Sequence, residues 1–206
     1  MTEVLTRKIR LVSASHPARI IVGISGASGI IYGIRMLEVL KAAGVETHLV
    51  VSKAAEMTLG YESDLKPKEL RELADVYHPS GDIGASISSG SFKTLGMVIA
   101  PCSIRTMSEI ATGVTGSLMS RAADVVLKER RRLVLAVRET PLHTGHLRTM
   151  LSLSEMGAII APVVPAFYNK PKTLDDVINH TVGRILDLFE IDAGIVKRWK
   201  TEQPPD

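Results

Sequence analysis

The sequence predicts an α/β domain, a mostly parallel sheet with helices on both faces, and three observations predict it. Short runs rich in Ile, Val and Leu alternate along the chain with longer amphipathic segments. Glycines and hydroxyl-bearing residues gather just after those apolar runs. The 206 residues are 45% hydrophobic and 23% charged, enough apolar material for one core in a chain short for two independent domains.

Taken in order, residues 19–23 read as a buried strand, and the glycine-rich turn 23–29 leads into a helix over 30–43 that Gly44 stops. Residues 45–51 alternate as a second strand, and Ser52 begins a helix to about residue 59. Pro67, at its favoured first helical position, opens a polar helix to about Val76. Residues 78–96 are dense in Ser and Gly and read as a long loop, a kind that is usually functional or mobile. Residues 97–100 give the third strand, 104–111 and 118–128 two helices, and 133–137 the fourth strand, which runs into Arg138 and Glu139. A helix over 146–156, a fifth short strand over 158–161 and a terminal helix over 173–189 complete the pattern. Thr173 caps that last helix, with Asp175 and Asp176 in its first turn. The domain is expected over 19–199, with a flexible N-terminal extension over 1–18 and a tail over 200–206.

Composition excludes several function classes. A net charge of +3 and 4% aromatics argue against nucleic acid, which wants a basic face or stacking platforms. The basic excess is local, at Arg121, Lys128, Arg130, Arg131, Arg132 and Arg138, and suits a small anionic ligand. Cys102 is the single cysteine, so neither an intrachain disulfide nor a Cys-based zinc site is expected, and a cytoplasmic setting is. Neither a secretion signal nor a membrane span is indicated.

Parallel sheets bind ligands outside the carboxyl ends of their strands, which directs attention to 23–29, 52–53, 101–106, 138–139 and 162–168. The turn Gly23-Ile24-Ser25-Gly26-Ala27-Ser28-Gly29 offers amides and a helix N-terminus to an anion. It is not a dinucleotide fingerprint, because Ile24 stands where glycine is needed and the second strand ends in Ser52 rather than an acid. It also lacks the Gly-Lys-Ser/Thr ending of a triphosphate loop. What remains is a neutral cradle suited to a mononucleotide phosphate, or a tight turn without a ligand. Residues 101–106 and the Ser-rich stretch 86–91 supply two further hydroxyl-bearing segments, and three converging polar turns suggest one extended ligand; each is also an ordinary place for a helix cap. Cys102, with no base in view, reads as a small hydrophobe, and Asp175-Asp176 as a capped helix start rather than a magnesium motif. His143 and His146 lack a third ligand, so no metal is expected.

The segments 23–29, Ser-Lys-Ala-Ala (52–55), Ile-Ser-Ser-Gly-Ser-Phe (87–92), Pro-Cys-Ser (101–103), Arg-Ala-Ala-Asp-Val-Val-Leu-Lys-Glu-Arg (121–130), Arg-Glu-Thr-Pro-Leu (138–142) and Pro-Ala-Phe-Tyr-Asn-Lys-Pro (165–171) resemble, in this order, the flavin prenyltransferase family of UbiX type. The likeness runs from about Arg19 to Trp199. It implies a Rossmann-like three-layer flavoprotein fold that binds reduced FMN as prenyl acceptor. It further implies transfer of dimethylallyl from dimethylallyl monophosphate to N5 and C6 without a metal, giving prenylated FMN for a UbiD-type decarboxylase of aromatic or unsaturated acids. Family members form dodecamers whose sites neighbouring subunits complete. By position, the resemblance implies FMN contacts from Gly26, Ala27, Ser28, Ser52, Ser103, Ile104, Arg105, Thr106 and Arg138. Tyr168 and Arg184 would hold the prenyl phosphate, with Lys128 and Arg121 completing the anion site, and Glu62 and Glu139 match the family's active-site acids.

Alkylation of a flavin nitrogen needs a close, oriented donor, a stabilised leaving phosphate and a base. Lys128, Tyr168 and Arg184 supply donors of the right kind, while Glu62, Glu139, Ser28 and the released phosphate are alternative bases. Each residue also has a plainer role open to it. Arg184 is also readable as a snorkelling surface side chain, Lys128 as part of a solvated charge run, Glu139 as the ion-pair partner of Arg138, and Tyr168 as the anchor of a turn. The competing functions are an FMN carrier protein and an FMN-dependent cysteine decarboxylase on the same fold. The latter relies on a Pro-x-Met-Asn-type clamp where this chain has Pro165-Ala166-Phe167-Tyr168-Asn169.

Overall fold

A computed structural model describes residues 18–196 and Arg198; the expectations for residues 1–17, for Trp199 and for 200–206 fall outside the described residues. The elements run β1 (Arg19–Ile24), α1 (Ile30–Ala42), β2 (Glu46–Val51), α2 (Lys53–Glu62), α3 (Pro67–Glu72), β3 (Val76–His78), a 3₁₀ turn (Ser86–Ser88), β4 (Gly96–Cys102), α4 (Ile104–Ala111), α5 (Leu118–Lys128), β5 (Arg132–Val137), α6 (Thr144–Glu155), β6 (Ile159–Ile160) and α7 (Leu174–Asp187). The six strands lie in the order β3-β2-β1-β4-β5-β6, and each neighbouring pair is parallel.

Alternation along the strands divides the core in two. Ile20, Val22 and Ile24 of β1 face one way and pack with α1, α2, α3 and α7. Ile21 faces the other way, into a layer formed by α4, α5, α6 and the 3₁₀ turn. Each wholly buried Ile or Leu contributes about 1.5–3 kcal/mol, against ~0–1 for an exposed ion pair, so the two layers hold the fold and the surface charges do not. Helix starts follow the sequence: Ser52, Ser103, Ser117 and Thr173 each accept a hydrogen bond from an amide in the first turn of α2, α4, α5 and α7. Asp176 returns the bond to Thr173 N, and Asp175 pairs with Arg35 at 3.0 Å, so this acidic pair stabilises the start of α7. His143, unexpected in this role, caps α6 by accepting from Gly145 N and His146 N, which moves that helix start two residues ahead of the expected one.

One element departs from the sequence reading. The polar helix expected to reach Val76 ends at Glu72, and Val76–His78 is a sixth, edge strand. The cause is a reciprocal lock: the Asp75 carboxylate accepts from Thr47 N at 2.8 Å while Thr47 Oγ1 accepts from Asp75 N at 3.0 Å. That pins the chain beside β2, and His78 Nε2 then meets His48 Nδ1 at 2.9 Å. In β4, Pro101 falls where the register shifts between Ile99 and Cys102, the kind of irregularity that accommodates a residue without an amide hydrogen in an inner strand. Among the described residues no helix is long and apolar enough to cross a membrane.

Two glycines in helices separate packing from propensity. A Cβ at Gly33 would lie 2.5 Å from Ala100 O and 2.7 Å from Ile24 Cδ1, whereas at Gly60 nothing stands within 4 Å. Gly33→Ala is expected to lower unfolding free energy by ~1–3 kcal/mol and Gly60→Ala to raise it by up to about 1 kcal/mol, read from urea midpoints. Equal effects of one sign would contradict the packing of α1 on β4.

Candidate functional site

The strand order reverses between β1 and β4, so the chain leaves these neighbours in opposite directions and opens a crevice beyond their carboxyl ends. Two turns frame it. Ser25, wholly buried, donates from Oγ to Pro101 O at 2.8 Å and accepts from Ser103 N at 2.7 Å; Ser25 N also donates to Pro101 O at 3.2 Å. One hydroxyl thus stitches the turn after β1 to the turn after β4. A third strand end joins them, since Arg138 N donates to Cys102 O at 3.1 Å. Gly26 lies so close on α2 that a Cβ there would meet Ala54 Cβ at 2.4 Å, which presses the turn against the helix that Ser52 caps.

On the exposed side of this frame, Ser28, Glu62 and Arg138 come together. Glu62 Oε2 accepts from Gly29 N at 2.8 Å and from Ile30 N at 3.0 Å. Burial works to raise its pKa, but the Ser28 hydroxyl, the Ile30 and Gly29 amides and the charge of Arg138 outweigh it and hold the carboxyl below its ordinary value. The sequence-predicted anion at the start of α1 is therefore met by a carboxylate from the end of α2, and the turn's first-helix amides are already in use. Ser103 Oγ accepts from Thr106 N at 3.3 Å and bonds Thr106 Oγ1 at 3.2 Å; Arg105 is exposed and pairs with Glu109 at 2.9 Å, and Ile104 is half-buried. Arg138 and Glu139 are both exposed at the end of β5, and Glu139 Oε1 accepts from Thr140 N at 2.9 Å. Cys102 is wholly buried, which pushes its thiol up to about 12 and leaves no thiolate to act as a nucleophile.

The remaining residues singled out from the sequence stand elsewhere on the chain. Tyr168 and Arg184 line a cavity of about 290 Å³ with Val196 and Arg198, on the outer side of α7. Arg184 is about half exposed and donates to Asp187 at 2.5 Å, while Arg198 binds the same carboxylate at 2.9 and 3.1 Å. Lys128, at the end of α5, pairs with Glu129 at 2.9 Å and sits next to the start of β5, at the rim opposite the crevice. Arg121, two turns earlier, pairs with Asp124 at 2.8 Å. The convergence of three polar turns does not hold within one chain. Two converge through Ser25, but Gly90 O and Phe92 O of the Ser-rich segment accept from Arg131, just before β5 and away from the strands' carboxyl ends. The His143 and His146 rings meet at the α6 cap with centroids 3.6 Å apart, tilted by 31°, and no group of three or more potential metal ligands occurs among the described residues. Sequence reasoning took Ser25 only as part of the glycine-rich turn and passed over His180, a polar residue on a mostly apolar helix face; only their partners, Pro101 and Ser103 for one and Tyr168 for the other, reveal what they do.

The donor set of the crevice is amides, capped helix starts, neutral hydroxyls and one exposed guanidinium. It fits a phosphate monoester, with glycine letting the turn close on α2. Comparison with known proteins agrees with that chemistry. The family model described as Flavoprotein matches residues 10–191. The flavin prenyltransferase UbiX of Escherichia coli (strain K12) is 60% identical over 185 residues, 88% of this chain and 98% of that one. Among solved structures, AnUbiX (PadA1) in complex with FMN and dimethylallyl pyrophosphate superposes with a TM-score of 0.89 at 49% identity, covering 91% of this chain and 100% of that chain. The dodecameric FMN-dependent Ubix-like decarboxylase from Escherichia coli O157:H7 gives 0.86 at 47%, covering 88% and 99%.

Because the Glu62 carboxyl is held below its ordinary value of 4.5, its contribution to stability is fully present above that value and is lost as pH falls through the lower folded-state value. Glu62→Gln should therefore lower the urea midpoint at neutral pH, and the gap to the parent should close as the pH falls below about 4.5. A gap independent of pH would remove the carboxylate from the α1 start. Ser25→Ala is expected to cost ~1–3 kcal/mol in the same measurement, because Ser103 N and Pro101 O lose a buried partner.

Proposed function

The chain belongs to the flavoprotein family and, within it, to the flavin prenyltransferases of UbiX type, and on that footing we propose that it transfers a dimethylallyl group from a dimethylallyl phosphate to N5 and C6 of reduced FMN. The product, prenylated FMN, serves a UbiD-type decarboxylase of aromatic or unsaturated acids in the cytoplasm. The observation that carries the reading is the pair of turns at the strand-order reversal, joined by Ser25 and opening onto Ser28 and Arg138.

In this reading Gly26, Ala27 and Ser28, with Ser52 and the segment Ser103–Thr106, hold the flavin mononucleotide, and Arg138 lies across its edge. Reduced FMN supplies the electron-rich nitrogen and the ring carbon that are alkylated. Tyr168 and Arg184 donate to the phosphate of the donor, and as its carbon–oxygen bond breaks they carry the charge that develops on the leaving oxygen. Two protons must be removed, one from each alkylated ring position, and they balance: one goes to the departing phosphate, and one must be delivered to the alkene carbon C2 of the N5-bound prenyl group, giving the tertiary carbocation that the ring carbon C6 attacks. Glu139, exposed at the end of β5, and the departing phosphate suit that work better than Glu62, whose carboxylate is already engaged by the Gly29 and Ile30 amides and the Ser28 hydroxyl and holds the start of α1.

Lys128 and Arg121 reach the donor phosphate from a neighbouring subunit of a dodecamer. Two observations support this: Lys128 stands at the opposite rim of its own sheet, and the solved Escherichia coli O157:H7 relative is dodecameric. Closure by neighbours also keeps water from a reacting allylic carbon.

The experiment is anaerobic incubation of the purified protein with reduced FMN and either dimethylallyl monophosphate or the diphosphate, followed by mass measurement of the released flavin. A flavin heavier by one prenyl unit is expected, with the two arms showing which donor is accepted. Unchanged FMN in both would make the protein a flavin carrier. Arg184→Ala should raise KM for the donor by ~10–100-fold, the loss of a charge-assisted hydrogen bond. Glu139→Gln should retain FMN while slowing transfer.

A further inference from the structure

His180 belongs to none of the roles above, yet it meets Tyr168 through both a hydrogen bond and a ring contact. It lies on α7 one turn before Arg184 and is 5% exposed. Its Nε2 is 3.0 Å from the Tyr168 hydroxyl oxygen, and the two rings meet edge to face, with centroids 5.4 Å apart at 82°. Tyr168 and Arg184 share the 290 Å³ cavity, while His180 lines one of about 260 Å³ with Asn169 and Asn179, so the imidazole touches the phenol without itself lining the cavity that Arg184 shares with it.

We propose that His180 is a positioning residue for the prenyl-phosphate site, donating from Nε2 to the Tyr168 oxygen and so aiming the phenol at the phosphate that Arg184 also binds. The inference rests on the phosphate role of Tyr168 set out above.

The ring's protonation follows from its surroundings. Burial, and then the nearby charge of Arg184, hold the imidazole below its ordinary pKa, with Asp187 pulling the other way, so the ring is neutral and carries one N–H. Nδ1 is buried and finds no hydrogen-bond partner among the described residues. A buried orphan N–H is costlier and rarer than an orphan acceptor, which places the hydrogen on Nε2 and leaves Nδ1 a bare lone pair. A Tyr168 oxygen that accepts from His180 keeps its own proton to donate elsewhere. The i, i+4 spacing of His180 and Arg184 then puts the two groups that govern phosphate capture on one helical face, set by the same backbone. Replacing the pair His180 and Tyr168 by apolar rings would keep the packing and lose the aim.

The test is steady-state prenyl transfer with reduced FMN and dimethylallyl monophosphate, with FMN affinity measured by fluorescence as the structural control. His180→Phe, which keeps a buried ring, should raise KM for the donor about tenfold while kcat changes far less and FMN affinity stays at the parent value. His180→Gln, whose amide nitrogen can still donate, should recover part of that loss. In a Tyr168→Phe background, His180→Phe should have no further effect, because the interaction it removes is already gone. Parent-like KM in His180→Phe, or effects of the two substitutions that add, would overturn the proposal. If Tyr168→Phe alone leaves KM unchanged, the phosphate role of Tyr168 fails and the inference falls with it, whereas a KM effect of Tyr168→Phe that His180→Phe does not share sinks the inference alone.

Discussion

Two turns from strands far apart in sequence meet at one hydroxyl, and the crevice depends on that meeting. Ser25 both gives and receives a hydrogen bond across the β1–β4 boundary, at 2.8 and 2.7 Å, in a place closed to water. No aliphatic residue of similar size could satisfy Pro101 O and Ser103 N together, and both groups sit where a ligand-facing backbone must be rigid. The strand order alone would open a cleft there; the serine sets the relative height of its two walls. Gly26 against Ala54 then fixes the third wall through α2.

The residues that the chemistry asks for are distributed over three regions of the chain. Ser28, Glu62 and Arg138 stand at the crevice, Tyr168 with Arg184 on the outer side of α7, and Lys128 at the far rim beyond α5. Each group rests in a local ion pair or hydrogen bond: Arg184 with Asp187, Lys128 with Glu129, Arg121 with Asp124. Such exposed pairs are worth about 0–1 kcal/mol, little enough to be exchanged for a bound phosphate. A single copy therefore stores its cations rather than assembling them, which accords with the proposal that several copies enclose the donor.

What could be read from the sequence was local. The glycine turn, the serine and threonine caps of α2, α4 and α7, and the alternation of the central strands depend on neighbours within four residues, and there the expected and observed elements agree. The edge strand Val76–His78 was hidden because its signal is the Asp75–Thr47 lock, 28 residues apart. Ser25 and His180 were hidden for the same reason: each looks like a misplaced polar residue until a partner 76 or 12 residues away is known. The apparent convergence of the Ser-rich segment failed because Arg131, read only as part of a charge run, ties it to the opposite rim.

The most direct measurement is a crystal structure of the protein grown with FMN. The flavin is expected across the β1–β4 boundary, its phosphate and ring touching both the 26–28 turn and the start of α4, with the Ser25 bonds intact. A flavin seated on one turn alone, or bound away from that boundary, would contradict the claim that this hydroxyl-stitched crevice is the site.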